Sequence, residues 1–125
     1  AGTLTAPYDR FMAWKKVESD DEVIDRINFD TLLYGMFDKK RLLDIIKNFI
    51  LFTSKGKIMA AYHQYYGMSK AIVSVKKAVN GDGRAGVVWH TQGSGKSFSM
   101  TFLAGNLVKD EELNNPTMLL QIEMI

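Results

Sequence analysis

The amino-acid sequence predicts an α/β fold in which a mainly helical segment leads into the beginning of a parallel sheet. Three observations point there. Before residue 81 the apolar residues recur at helical spacing. From residue 86 onward a β-branched and aromatic run, Val87-Val88-Trp89, lacks polar alternation, as a strand buried on both faces does. A glycine-rich turn, a second helical pattern and another apolar run then follow, which is the order of a βαβ unit with a right-handed crossover.

Composition sets the outer limits. A length of 125 residues suits one domain with a modest core, or part of a larger one. Apolar residues make up 46% and charged residues 24%, the balance of a soluble globular chain. The net charge of +2 is too small to announce a nucleic-acid partner, although it permits one. Without cysteine, the chain has neither disulfides nor thiolate zinc sites. No basic and apolar leader opens the sequence, and runs such as Ile58 to Tyr62 are far too short to span a membrane. The expectation is a cytoplasmic protein.

Residues 1–22 read as an irregular arm, punctuated by Pro7 and the acidic Glu18, Asp20, Asp21 and Glu22, with Phe11, Met12 and Trp14 as docking side chains. Residues 23–85 form the helical segment. Val23, Ile24, Ile27, Leu32 and Leu33 suggest a first helix that Asn28-Phe29-Asp30 interrupts. Asp38 is placed to N-cap a second helix whose stripe is Leu42, Leu43, Ile45, Ile46 and Phe49. A turn at residues 53–56 and a short segment at 57–61 precede a helix over 69–80, with Ile72, Val75, Ala78 and Val79 inward and Gly81 as its C-terminal stop. Residues 86–125 begin the sheet: a strand at 87–89, a helix over 96–108, a turn at Asn114-Asn115-Pro116 and a second buried strand over 117–122.

Gly93-Ser94-Gly95-Lys96-Ser97 lies between the predicted strand and helix, where a phosphate site belongs. Glycines allow positive φ, so that successive N–H groups turn toward an anion, and the helix N-terminus adds partial positive charge. Lys96 can reach β/γ-phosphates, and the Ser97 hydroxyl can ligate Mg²⁺. The full P-loop pattern would have glycine at position 90, where this chain has His90. That departure argues against simple kinases and GTPases and favours helicase-like motors. His90 and His63 are read as histidines hydrogen-bonded to backbone rather than as a base or metal ligand, because neither has a histidine close by in sequence and no carboxylate lies within several residues of His90.

Two stretches extend the pattern: "YHQYYGMSKA" at residues 62–71 and "GVVWHTQGSGKS" at 86–97. Together they resemble the motor subunit of Type I restriction endonucleases, a superfamily 2 helicase with RecA-like lobes. "FDKKRLLDIIKNFILF" at 37–52 resembles the family stretch between nuclease and motor, and "GTLTAPYDRFMAW" at 2–14 resembles its interdomain segment. The resemblance reaches to about Pro116-Thr117 and is most specific at residues 87–97. It implies that residues 1–22 are an interdomain arm, that 23–85 carry the Q-tip motif, and that 86–125 start the first RecA-like ATPase lobe. It also implies adenine recognition by Gln64, nucleotide contacts along Thr91, Gln92, Gly93, Ser94, Gly95, Lys96 and Ser97, and a catalytic role for Lys96. The cofactors implied are ATP and Mg²⁺. The implied partners are double-stranded DNA and the modification and specificity subunits of a bacterial or archaeal restriction complex.

Gln64 suits an adenine edge, since a carboxamide can accept from the N6 amine and donate to N7. Alternatively it caps the turn before the next helix. Tyr62, Tyr65 and Tyr66 could stack on a base or pack a core. Asp38-Lys39-Lys40, with Asp30, mimics a nuclease triplet, but Asp38 reads as a helix N-cap. Residues 117–125 depart from the family's DNA-contacting motif. Walker B carboxylate, arginine finger and second lobe are expected from outside this chain, making it a fragment of the motor. Rival readings are another superfamily 2 translocase without a nuclease, and a non-catalytic interaction fragment.

Overall fold

The computed structural model describes residues 2–119. Its centre is helix α1, Lys39–Asn48, which Asp38 caps as expected, its side chain accepting from the Arg41 amide at 3.1 Å. That geometry retires any reading of Asp38-Lys39-Lys40 as a strand-borne triplet. Ile45 from this helix and Phe49 just after it are each 1% exposed.

The chain then turns back as a hairpin. Strands β1, Ile50–Thr53, and β2, Gly56–Met59, pair antiparallel with Ile50 opposite Met59 and Thr53 opposite Gly56. The Thr53 hydroxyl donates to the Gly56 carbonyl at 2.8 Å and accepts from the Lys55 amide at 3.2 Å, closing a two-residue turn. The turn expected at 53–56 is thus present, and β2 occupies most of the short segment expected at 57–61, which the sequence does not mark as a strand.

Helix α2, Tyr62–Val79, begins seven residues earlier than the pattern over 69–80 predicts. The cause is Gln64: its Oε1 accepts from the Ala61 amide at 3.0 Å, supplying one half of a capping box. The extra turns bury Tyr65, Tyr66 and Met68. Asn80 is the C-cap, and the glycine with a left-handed φ, +78°, is Gly83 rather than Gly81. Helix α3, Lys96–Lys109, appears where expected. Asn106 Nδ2 donates to the Asn48 carbonyl at 3.1 Å, tying α3 to α1, and Lys76 of α2 pairs with Asp110 at 3.1 Å and Glu112 at 2.9 Å beyond α3.

An aromatic cluster forms the core between these elements. The Phe49 ring lies 4.8 Å from Tyr65 and 5.7 Å from Phe102, and Trp14 lies 6.0 Å from Tyr65 and 5.9 Å from Tyr66. Tyr65 donates to Asp44 at 2.9 Å and Tyr66 to the Val17 carbonyl at 2.6 Å, so both hydroxyls are satisfied. Trp14 thus docks the arm on this chain's own core, while Phe11 and Met12 stay half exposed.

Three expectations fail in detail. Residues 22–28 are not helical; Asn28 Oδ1 instead accepts from the Asp30 amide at 2.9 Å, at the start of a helical turn that becomes π-helical over Thr31–Met36. No Cβ fits at Gly35, where one would stand 2.7 Å from Trp14 Cδ1 and close against the Lys16 carbonyl. Residues 87–89 form no ladder, and Val87 and Trp89 are 93% and 91% exposed. A lone segment has no partner for its N–H and C=O groups, and among the described residues the only strands, β1 and β2, pair with each other. Residues 117–119 are likewise unpaired, and the remainder of the strand expected over 117–122 lies outside the described residues. What stands is a mixed structure of helices with a small antiparallel sheet.

Candidate functional site

The loop from residue 91 to 95 leads directly into α3. Gly93 and Gly95 both have left-handed backbone, φ +79° and +80°, and Gly95 is the N-cap residue of the helix. Only glycine takes such angles without penalty, and here they curl the chain just before the helix. The first-turn amides of α3 have no intrahelical partner. A Cβ at Gly93 would meet nothing within 4 Å, so open space adjoins the turn. Two left-handed glycines, orphan amides and open space suit a phosphate group.

Ser94 holds this loop closed on itself and on α2. Its backbone amide and its hydroxyl both donate to the Thr91 carbonyl, at 3.2 Å and 2.6 Å. Because that hydroxyl has one hydrogen, the 3.1 Å contact with His90 Nδ1 requires the imidazole to donate. His63 Nε2 lies 3.2 Å from the Ser94 carbonyl and must donate as well. The two histidines, far apart in sequence, meet with ring centroids 6.1 Å apart. Sequence spacing could not reveal that pairing, and His90 bonds a side chain where a backbone partner is expected. Burial, followed by the neighbouring His63 and the positive Lys96, holds His90 below the usual histidine pKa.

Gln64 is 6% exposed and braces the same loop. While its oxygen caps α2, its Nε2 donates to the Gly95 carbonyl at 3.1 Å. The capping alternative for Gln64 is therefore realised, with one lone pair and one N–H still uncommitted. Tyr65 and Tyr66 are core residues; burial raises both hydroxyls' pKa values, Tyr65 further through its bond to Asp44.

Thr91, Gln92, Lys96 and Ser97 are exposed. Among the described residues no carboxylate pairs with Lys96, and no group of three or more His, Asp or Glu side chains could hold a metal ion. Two hollows flank the loop. One, about 500 Å³, is lined mostly by apolar groups together with Thr91, Gln92 and Lys96. The other, about 360 Å³, lies between residues 2–12, β2, Gln64 and Gly93 to Gly95. Among the described residues no helix is long and apolar enough to cross a membrane.

Comparison with known proteins shows what the sequence is similar to. The family model of the SWI2/SNF2 ATPase matches residues 63–123, a span that includes Gln64 and the whole loop. The Type I restriction enzyme HindI endonuclease subunit of Haemophilus influenzae is 47% identical over 93% of this chain and 12% of its own length. The putative type I restriction enzyme MjaIXP endonuclease subunit of Methanocaldococcus jannaschii is 39% identical over 92% of this chain and 13% of its own length. The putative MjaVIIIP endonuclease subunit of the same organism is 30% identical over 92% and 11%. No solved structure matches the chain significantly. The chain thus spans about an eighth of the length of these curated relatives, and within that span it belongs to the family of Type I restriction enzyme endonuclease subunits.

Proposed function

We propose that this chain is the ATP-binding portion of an ATP-dependent DNA translocase, part of a Type I restriction endonuclease that moves and cleaves foreign DNA. The observation that carries the reading is the loop at residues 91–97: left-handed Gly93 and Gly95 open onto the free amides of α3, inside a segment that matches SWI2/SNF2 ATPases.

Bound Mg·ATP would supply the phosphoryl group whose transfer to water drives translocation. This chain's residues hold and orient it. The amides of Gly93 and of Gly95 to Ser97 face the β/γ-phosphates, with contacts from Thr91 and Gln92, and the Lys96 ammonium offsets their negative charge. Lys96 is the catalytic group in this reading, since charge on the transferred phosphoryl is what it stabilises. The Ser97 hydroxyl is the protein ligand for Mg²⁺. Gln64 uses its remaining lone pair and N–H on the adenine N6 and N7 while still bracing Gly95. A water-orienting carboxylate comes from elsewhere in the subunit, as do the nuclease residues.

In this reading residues 1–22 are the interdomain arm, 23–85 the helical segment with the Q-tip motif, and 86–125 the start of the first RecA-like lobe with its parallel sheet. Double-stranded DNA and the modification and specificity subunits are the partners, in the cytoplasm of a bacterium or archaeon.

Lys96→Ala in the complete subunit tests the reading. Removing a cation aimed at the transferred phosphoryl should cost roughly a hundredfold or more in ATP turnover and abolish translocation. The fold should survive, because Lys96 is exposed. ATP turnover within a few-fold of the parent would reject the phosphate-site assignment.

A further inference from the structure

The cavity of about 360 Å³ beside the loop has an unexpected wall. One side is Gln64, Gly93, Ser94 and Gly95; the opposite side is the N-terminal arm, including Asp9 and Arg10. Its volume falls in the range of small-ligand pockets, roughly 300–1,000 Å³. The arm is fixed there by hydrogen bonds to β2: Thr3 Oγ1 donates to the Lys57 carbonyl at 2.7 Å, and the Lys57 amide donates to Thr5 Oγ1 at 3.4 Å. A 3₁₀ turn, Tyr8–Arg10, then carries Asp9 and Arg10 to the cavity. The Arg10 guanidinium carbon sits 5.4 Å from the centroid of Phe98, in the first turn of α3.

We infer that Asp9 and Arg10 of the arm form the outer wall of the pocket that takes the base and ribose of the nucleotide whose phosphates lie on the adjoining loop. The inference rests on the phosphate-site reading above. It adds a subsite built by residues more than fifty positions upstream of Gln64. A flat guanidinium that already lies over one aromatic ring leaves its other face for a second flat ring. A nucleobase entering between Arg10 and Gln64 is such a ring. Asp9, acceptor-only when ionised, matches the hydroxyl donors of a ribose. Closure of the pocket therefore requires the arm, so the arm's position and nucleotide occupancy are linked.

Calorimetric titration of the complete subunit separates base from phosphate, using Mg·ATP and inorganic tripolyphosphate as probes. Arg10→Ala should weaken ATP about tenfold while tripolyphosphate changes less than twofold, and Arg10→Lys, which keeps the charge but not the planar stack, should recover little. Asp9→Asn should weaken ATP more than 2′,3′-dideoxy-ATP. Parallel loss of ATP and tripolyphosphate in Arg10→Ala would make Arg10 a phosphate ligand and overturn the inference. Unchanged ATP binding in both Arg10→Ala and Asp9→Asn would overturn it as well, as would full recovery with Arg10→Lys. Lys96→Ala isolates the underlying reading: if it leaves tripolyphosphate binding intact, the loop is no phosphate site and the subsite falls with it. If Lys96→Ala fails to bind and Arg10→Ala binds normally, only the arm's role is lost.

Discussion

Gly93 and Gly95 share a backbone conformation but not an environment. An alanine at either position bears the left-handed penalty of about 1–2 kcal/mol. At Gly93 nothing else stands in the way, whereas at Gly95 the new Cβ would meet Gln64 Nε2 at 2.7 Å. Gly93→Ala should therefore lower the melting temperature modestly. Gly95→Ala should lower it further, and the double variant with Gln64→Ala should recover part of the difference, as coupled neighbours do. Thermal unfolding of the three variants checks this; equal effects at 93 and 95 would contradict the Gln64–Gly95 contact. His90 gives a second test. Its folded pKa lies below the ordinary 6.5 because burial, His63 and Lys96 disfavour the charged form. On acidification below pH 6.5 the unfolded chain takes up a proton that the folded loop still refuses. Its contribution to stability, complete above 6.5, is then lost as pH falls through the lowered folded value. In a proton NMR titration the midpoint of the His90 ring resonances should lie below 6.5, and His90→Asn should flatten the stability profile there. A midpoint at 6.5 or above would mean the ring is not buried beside His63 and Lys96 as described.

At the scale of elements, α1 and α3 are legible because each carries its own local signal: Asp38 before an apolar stripe, and a glycine turn before a helical pattern. Of the hairpin only the turn at 53–56 is legible, and its strands are not. Its turn is Ser54-Lys55, lacking the Asn-Gly or Asp-Gly chemistry that marks two-residue loops, and its four-residue strands show no alternation. The π-helical turn at Thr31–Met36 is equally hidden, since Asn28 starts it but the close packing at Gly35 comes from distant Trp14. Within the site, the phosphate loop can be read from adjacent residues, but the arm's wall on the cavity depends on contacts over fifty residues apart, Thr3 and Thr5 with Lys57. The element most exposed to a single change is the aromatic junction between α1, α2 and α3. Phe49 and Phe102 are each 1% exposed and in ring contact. Phe49→Ala should cost about 3–5 kcal/mol, read as a shift of the denaturation midpoint without a change of slope. A loss below about 1 kcal/mol would show that the junction repacks freely.

The whole molecule presents apolar side chains that its own core does not use. Val87 and Trp89 stand almost fully exposed, with Leu119 at 92%. Such residues carry the β-branched and aromatic character of a two-sided buried strand, yet the small sheet present is antiparallel and elsewhere. In the proposed function they become the first strand of a RecA-like sheet once the rest of the subunit supplies neighbours. That difference is measurable by hydrogen exchange. In the isolated 125-residue chain the amides of residues 87–89 should exchange at near-unprotected rates, because no ladder covers them. In the complete subunit the same amides should be protected. The isolated chain should also turn over no ATP in response to duplex DNA, since in the proposed function the water-orienting carboxylate and the second lobe come from elsewhere in the subunit. Lys96→Ala in the isolated chain is the control for contaminating ATPase. Rapid exchange at 87–89 in the complete subunit would remove the parallel strand from the proposal. DNA-stimulated turnover by the isolated chain that vanishes with Lys96→Ala would place the catalytic machinery within these 125 residues.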